Sequence, residues 1–235
     1  EEARAAGYTI VYTREELLAL PGNTGKLLGV FAAKHTFNDR SEEDLAAAGL
    51  PLYAPEAPTL AEMTAVALRL LSAGNRRFFL VVEEEGSDNF ANDNNAQGAL
   101  TALARADEAI GVAMDFIATT PGTLLLTAAD SDAGGMQVWA VRDEAEFERP
   151  LPAVSDNGAP LDGRDGTATL PFVAAPDATG VKLRFGIAWA AEDDVMGAIL
   201  ARAHGMNAQY LPLNVDNTDL YRLMYRTLFG KVLEP

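Results

Sequence analysis

Apolar positions along the chain follow two periods. Residues 8–12 (Tyr8-Thr9-Ile10-Val11-Tyr12) and 27–31 are short β-branched or apolar runs bounded by Gly and polar residues, which predicts strands. Between them, Thr13 followed by Glu15-Glu16 and Leu17-Leu18 predicts a helix start with acids in the first turn. Residues 34–58 are polar and Pro-bounded and predict a loop. Thr59 with Glu62 three residues on has capping-box spacing, and Leu60, Met63, Ala67, Leu70 and Leu71 recur at the helical period. Residues 78–82 (Phe78-Phe79-Leu80-Val81-Val82) are continuously apolar, the pattern of a strand covered on both faces. Residues 96–117 predict a long amphipathic helix, with Leu100, Leu103, Ala106, Ile110, Ala113 and Met114 on one side. A further buried strand is predicted at 123–127, a short helix at 198–203, and a capped terminal helix from Asp216-Asn217-Thr218-Asp219 through Leu220, Leu223, Met224 and Leu228.

Buried strands alternating with helices predict an α/β fold: a mostly parallel sheet with helices on both faces. The pattern breaks over residues 143–180, which are rich in Pro, Gly and Asp and carry no helical period. This segment predicts an excursion of loops and short strands. Asp156-Asn157-Gly158 and Asp162-Gly163-Arg164-Asp165-Gly166 read as turns. The second lacks the remaining ligand spacing of a helix–loop–helix calcium site.

Composition narrows the function. A chain of 235 residues that is 49% apolar and 22% charged folds as one or two globular domains. No apolar run approaches the ~20 residues of a membrane helix. A net charge of −16, from 34 acids against 18 bases, argues against nucleic-acid partners and against anionic membranes. Cys is absent, which excludes disulfides, thiolate metal sites and Cys nucleophiles. The first residues carry no signal-peptide pattern and read like the middle of a helix, as though cut from something longer.

Two predicted strands end in acidic segments, where ligands gather in sheets of this kind. One is Glu83-Glu84-Glu85-Gly86-Ser87-Asp88-Asn89-Phe90-Ala91-Asn92-Asp93-Asn94-Asn95, the other Ala129-Asp130-Ser131-Asp132-Ala133-Gly134-Gly135. Crowded carboxylates and amides suit hard cations such as magnesium or calcium. The alternative is a solvated loop in which Asp93, Asn94 and Asn95 cap the following helix. His35 reads as a loop histidine, and His204 as a cation at a helix C-terminus. Neither sits in a recognisable Ser/His/Asp setting.

These segments resemble the alkaline phosphatase family. Residues 79–96 resemble its strand followed by Val-Glu-Gly, with Asp five residues after that Glu and His four further on: Glu83, Asp88 and Asn92 take the three positions. Residues 123–135, TLLLTAADSDAGG, resemble the segment ending Thr-Ala-Asp-His-Glu-Thr-Gly-Gly, with Asp130 on the Asp and Ser131 on the His. Trp189-Ala190-Ala191-Glu192-Asp193 resembles His-Thr-Gly-Glu-Asp, placing Trp189 on a third His, and residues 216–221 resemble the closing helix. The resemblance implies the C-terminal portion of a three-layer α/β domain, here residues 1–235, acting on phosphate-ester small molecules. It implies Glu83 as a magnesium ligand, Asp88 and Asp130 as ligands of two zinc ions, and Asn92, Ser131 and Asp132 as secondary oxygen ligands.

All three His positions hold other residues, and Trp cannot ligate because its indole nitrogen only donates. Oxygen in place of imidazole shifts the expected cation from zinc to magnesium or calcium. The family's Asp-Ser-Ala nucleophile turn is absent from these 235 residues. The expectation is therefore no catalytic nucleophile in this chain, with the missing N-terminal half of the same protein as its partner. A homodimer and a periplasmic or extracellular location are what the family resemblance adds. A non-catalytic relative serving as a binding or structural domain is the other reading.

Overall fold

The computed structural model describes residues 1–74 and 76–233. Helix α1 (Glu2–Ala5) leads into strand β1 (Tyr8–Val11), helix α2 (Arg14–Leu18) and strand β2 (Lys26–Gly29). Helices α3 (Glu42–Ala48), α4 (Leu60–Ser72), α5 (Gly86–Asn92) and α6 (Ala96–Thr119) follow, then strands β3 (Leu124–Thr127) and β4 (Gln137–Val141). The excursion contributes β5 (Leu161–Gly163), β6 (Gly166–Thr167) and β7 (Phe172–Val173). The chain closes with β8 (Arg184–Ala188), β9 (Arg202–Gly205) and helix α7 (Asn217–Phe229).

Local chemistry sets the helix ends. Thr13 and Thr59 each accept from the N–H of a Glu three residues on, and that Glu bonds back to the cap, giving capping boxes on α2 and α4. Arg14 ties the two helices by a bidentate hydrogen bond and ion pair with Glu62. Asp216 and Asp219 make the same reciprocal pair on α7. The helix α3 falls inside the segment expected to be loop. Ser41 accepts from Asp44 N–H at its start, and Gly49, at φ 62°, closes it. Seven residues with three alanines are too short to show a helical period.

The expected mostly parallel sheet is not present. β1 and β2 pair in parallel, with α2 as the connection. β3 pairs antiparallel with β9, and β4, β5 and β7 each pair antiparallel with β8. Residues 78–82 join no ladder among the described residues. A run buried on both faces needs strands on each side and helices above and below. Here Phe78 turns onto Phe116 of α6, at 6.1 Å between ring centroids, while Phe79 and Val81 stay 57% and 71% exposed. β2 pairs only with β1 and β3 only with β9, so among the described residues the expected central strand has no hydrogen-bonded neighbour. His204 likewise lies in β9, opposite Leu125, and not at the end of a helix. A strand there satisfies the backbone of β3, which a short helix at 198–203 would leave open.

The main core gathers Phe37, Leu45, Phe90, Ala91, Ala96, Ala99, Ala102, Ile187 and Trp189. It fastens α3, α5 and α6 to β8. Smaller clusters join β1, α2 and α4 through Val11, Leu17, Leu20 and Val66, and close the excursion through Val141, Leu151 and Leu161. Among the described residues no helix is long and apolar enough to cross a membrane. Phe90 is fully buried, so Phe90→Ala should destabilise the chain by about 3–5 kcal/mol. Phe79→Ala should change stability by less than about 0.5 kcal/mol. Urea unfolding at neutral pH measures both, and a large loss at Phe79 would show its side chain packed rather than open.

Candidate functional site

The site begins where the chain turns after Val82. Glu83 points to solvent, while Glu84 turns inward and accepts from Tyr53 Oη at 2.8 Å and from the Gly86 N–H at 3.2 Å. A Cβ on Gly86 would run into the Tyr53 hydroxyl, so glycine lets the chain start α5 against that ring. Asp88 and Asn92, four residues apart on α5, share a face. Asn92 Nδ2 lies 3.4 Å from both Asp88 carboxylate oxygens and donates to Asp194 Oδ1 at 2.9 Å. Beyond Asn92 the chain passes through Asn94, at φ 51°, to Asn95, whose side chain caps α6 at the Gly98 N–H.

Gly134 brings the other two loops to α5. Its carbonyl accepts from the N–H groups of Ala190 and Ala191 at 2.9 and 3.2 Å. Its Cα packs so close to the Ala91 carbonyl that a Cβ has no room. Two further backbone bonds, Val195 N–H to Ala133 O at 2.9 Å and Asp132 N–H to Val195 O at 3.2 Å, zip the loops together. Asp194 is thereby placed across from Asn92.

The charges in this cluster are incompletely compensated. Burial, then the facing Asp194 charge and a hydrogen bond shared with it, push the Asp88 carboxyl up to about 6, with Glu85 and Asp130 adding to the effect. The Asn92 amide donates where a cation would otherwise sit between the acids, and its Oδ1 is buried without a hydrogen-bond partner among the described residues. A polar pocket of about 480 Å³ opens beside Asn92, lined by Asp39, Arg40, Asp44, Asp93 and Glu192 among others.

The candidate residues are only partly brought together. Asp88 and Asn92 are in direct contact, and Asp130 acts on Asp88 through its charge from an exposed position. Ser131 Oγ accepts from the Ala133 N–H at 3.1 Å within its own loop. Asp132 packs against Gly197. Glu83 stands apart in solvent. Trp189 is 1% exposed in the core and donates from Nε1 to Asp162 Oδ2 at 2.7 Å. The residue beside Asp88 and Asn92 is instead Asp194, which sequence reasoning passed over. Its signal was the acidic run Glu192-Asp193-Asp194. His35 stacks on Phe37 at 4.7 Å and lies 3.9 Å from Asp39. Among the described residues no three His, Asp or Glu side chains converge on one point. The donor set is two carboxylates and an amide, without imidazole or thiolate. It does not suit zinc, and it does suit a hard divalent cation.

Comparison with known proteins agrees with this architecture. The alkaline phosphatase family model matches residues 1–154, and the chain belongs to that family. The membrane-bound alkaline phosphatase of Bombyx mori is 34% identical over 133 residues, 54% of this chain and 22% of that protein. Alkaline phosphatase H of Pseudomonas aeruginosa is 27% identical over 242 residues, 97% of this chain and 46% of that protein. The chain therefore spans less than half the length of these curated relatives. Among solved structures, the alkaline phosphatase of Thermus thermophilus superposes with TM-score 0.67 at 23% identity, over 99% of this chain and 58% of that one. A magnesium-bound mutant of the alkaline phosphatase from the Antarctic bacterium TAB5 superposes with TM-score 0.62 at 18% identity, over 96% and 53%.

Gly134→Ala should lower stability by about 1–3 kcal/mol, because the new methyl group must displace the Ala91 carbonyl. Chemical denaturation measures the loss. An unchanged midpoint would show that the junction yields without strain.

Proposed function

We propose that this chain is the cation-holding portion of a phosphomonoester hydrolase, with the phosphorylated nucleophile supplied by sequence outside these 235 residues. The observation that carries the reading is the Asp88–Asn92–Asp194 cluster, set at one end of α5 in a chain of the alkaline phosphatase family. Two points support the placement of the nucleophile. The chain covers less than half of the relatives it matches, and it contains no Asp-Ser-Ala turn.

Asp88 and Asp194 would hold the cation, with Asn92 turning its amide oxygen toward it and Asp130 adding charge at longer range. Magnesium or calcium fits these donors better than zinc, and the magnesium-bound TAB5 structure is in keeping with that choice. A divalent cation there supplies charge to offset a phosphate ester, which a chain of net charge −16 would otherwise repel. The protein's own part is to keep two carboxylates facing each other at a backbone junction that cannot relax. The proton held on Asp88 must leave before a cation can enter.

Affinity should therefore rise with pH. Asp88 is raised to about 6, so its carboxylate is fully available only above that value. Calorimetric titration with magnesium and with calcium should show binding at pH 7.5 that weakens by about tenfold or more at pH 5, and that is lost in Asp88→Asn. Zinc tighter than both ions would sink the hard-cation assignment. For the activity itself, the full-length protein loaded with metal should hydrolyse a phosphomonoester well above its Asp88→Ala variant. Equal rates would remove the hydrolase reading.

A further inference from the structure

Away from the Asp88 cluster, two carboxylates are buried where α3, α6 and the β5–β6 hairpin meet. Glu42 opens α3 and is 7% exposed, and Asp162 in β5 is 3% exposed. Glu42 Oε1 accepts the Gln97 N–H at 3.1 Å. Asp162 accepts from Trp189 Nε1 at 2.7 Å and from Thr167 Oγ1 at 3.2 Å, and the Ala96 N–H at the start of α6 lowers its proton affinity. Both acids thus face the first turn of α6, whose free N–H groups and dipole favour negative charge. The seam is tight. A Cβ on Gly166 would lie 3.1 Å from Glu42 Cβ, and Glu43 Oε1 accepts the Thr167 N–H at 2.8 Å.

The two acids differ in one respect. Both Asp162 oxygens have a donor, Thr167 on Oδ1 and Trp189 on Oδ2, whereas Glu42 Oε2 is buried with no hydrogen-bond partner among the described residues. A bare carboxylate oxygen there is far more costly than a hydroxyl. The titratable groups facing Glu42 are Asp162 from β5 and Glu43 from its own helix, both acids. α6 contributes the Gln97 N–H, and among the described residues no cationic side chain is an ion-pair partner of Glu42.

We propose that Glu42 is carried as the neutral acid in the folded chain, and that its ionisation loosens the seam between α3, the β5–β6 hairpin and the start of α6. One helix end can offset the charge of Asp162. A second charge beside it has no cation to meet. Burial, with Asp162 and Glu43 adding to it, raises the carboxyl to about 7 from its ordinary 4.5. The folded chain then binds this proton more tightly than the unfolded chain. The stability tied to it is complete below the ordinary value and is lost as pH rises through about 7. The seam also reaches the pocket beside Asn92, because Asn95 at the α6 cap donates to the Arg40 carbonyl at 2.7 Å, and Arg40 lines that pocket.

The test is a carbon-13 titration of the side-chain carboxyls in the whole chain, with the Glu42 signal assigned by its disappearance in Glu42→Gln. A midpoint near 7 supports the proposal, and a midpoint at the ordinary value of 4.5 overturns it. Asp162→Asn keeps an acceptor and removes the neighbouring charge, so it should move the Glu42 midpoint downward. An unmoved midpoint overturns the coupling. Between acid and mildly alkaline pH, the urea-unfolding equilibrium of the parent should weaken on the order of a hundredfold relative to Glu42→Gln. Parallel pH profiles would overturn the proposal. Amide exchange at Gln97 and Thr167 should lose protection with pH in the parent beyond the change seen in Glu42→Gln. Equal protection in the two would show that the seam does not open.

Discussion

The structure turns on a single close approach between backbones. Gly134 lies against the Ala91 carbonyl and offers its own carbonyl to Ala190 and Ala191, so α5 and two loops, each more than forty residues from the next, are held at one point. Any side chain at that position would push the 128–135 loop off α5. The cluster of Asp88, Asn92 and Asp194 depends on this contact more than on any attraction of its own, because its members repel. Fixed backbone geometry supplies what side-chain energetics would not, as is usual where strain or repulsion is kept at a working site.

That repulsion gives the cluster its chemical character. Burial and the facing Asp194 carboxylate raise the proton affinity of Asp88, and the Asn92 amide takes up part of the charge by donating between them. An amide is a weak substitute for a cation. It leaves its own oxygen buried without a partner, so the cluster is incompletely satisfied. The second acid pair is treated differently. Asp162 takes donors from Trp189 and Thr167 and sits at a helix end, while its neighbour Glu42 is left with one bare oxygen. That pair is closed in by packing, whereas the Asp88 pair opens beside a polar pocket that a cation could enter.

Much of this was legible in the chain. The Thr59–Glu62 capping box, the 24-residue helix α6 and the Asp216 cap follow from signals within a few residues, and they appear where those signals place them. Asp88 and Asn92 stand out only because their acidic segment resembles a family motif; the helix α5 that sets them one turn apart is not read from the sequence. What failed depended on distant partners. The run at 78–82 is apolar enough for a central strand, but a strand exists only when neighbours bond to it, and composition does not reveal them. Asp194 was hidden in an acidic run whose register is fixed by the Ala133–Val195 pairing, a contact sixty residues apart. Trp189 stands at a His position where it cannot ligate, and its indole indeed packs into the core with its N–H on Asp162.

The open face of the segment at 76–83 bears on how the chain behaves in concentrated solution. Phe79 and Val81 are exposed on a segment that joins no ladder among the described residues, an apolar face that another strand could cover. Directly after it come three consecutive glutamates, Glu83-Glu84-Glu85, of which Glu83 projects into solvent. They act as gatekeepers, and the excess of negative charge over the whole molecule keeps copies apart. Salt that screens these charges would lower that barrier, so the tendency of copies of this chain to associate should follow ionic strength.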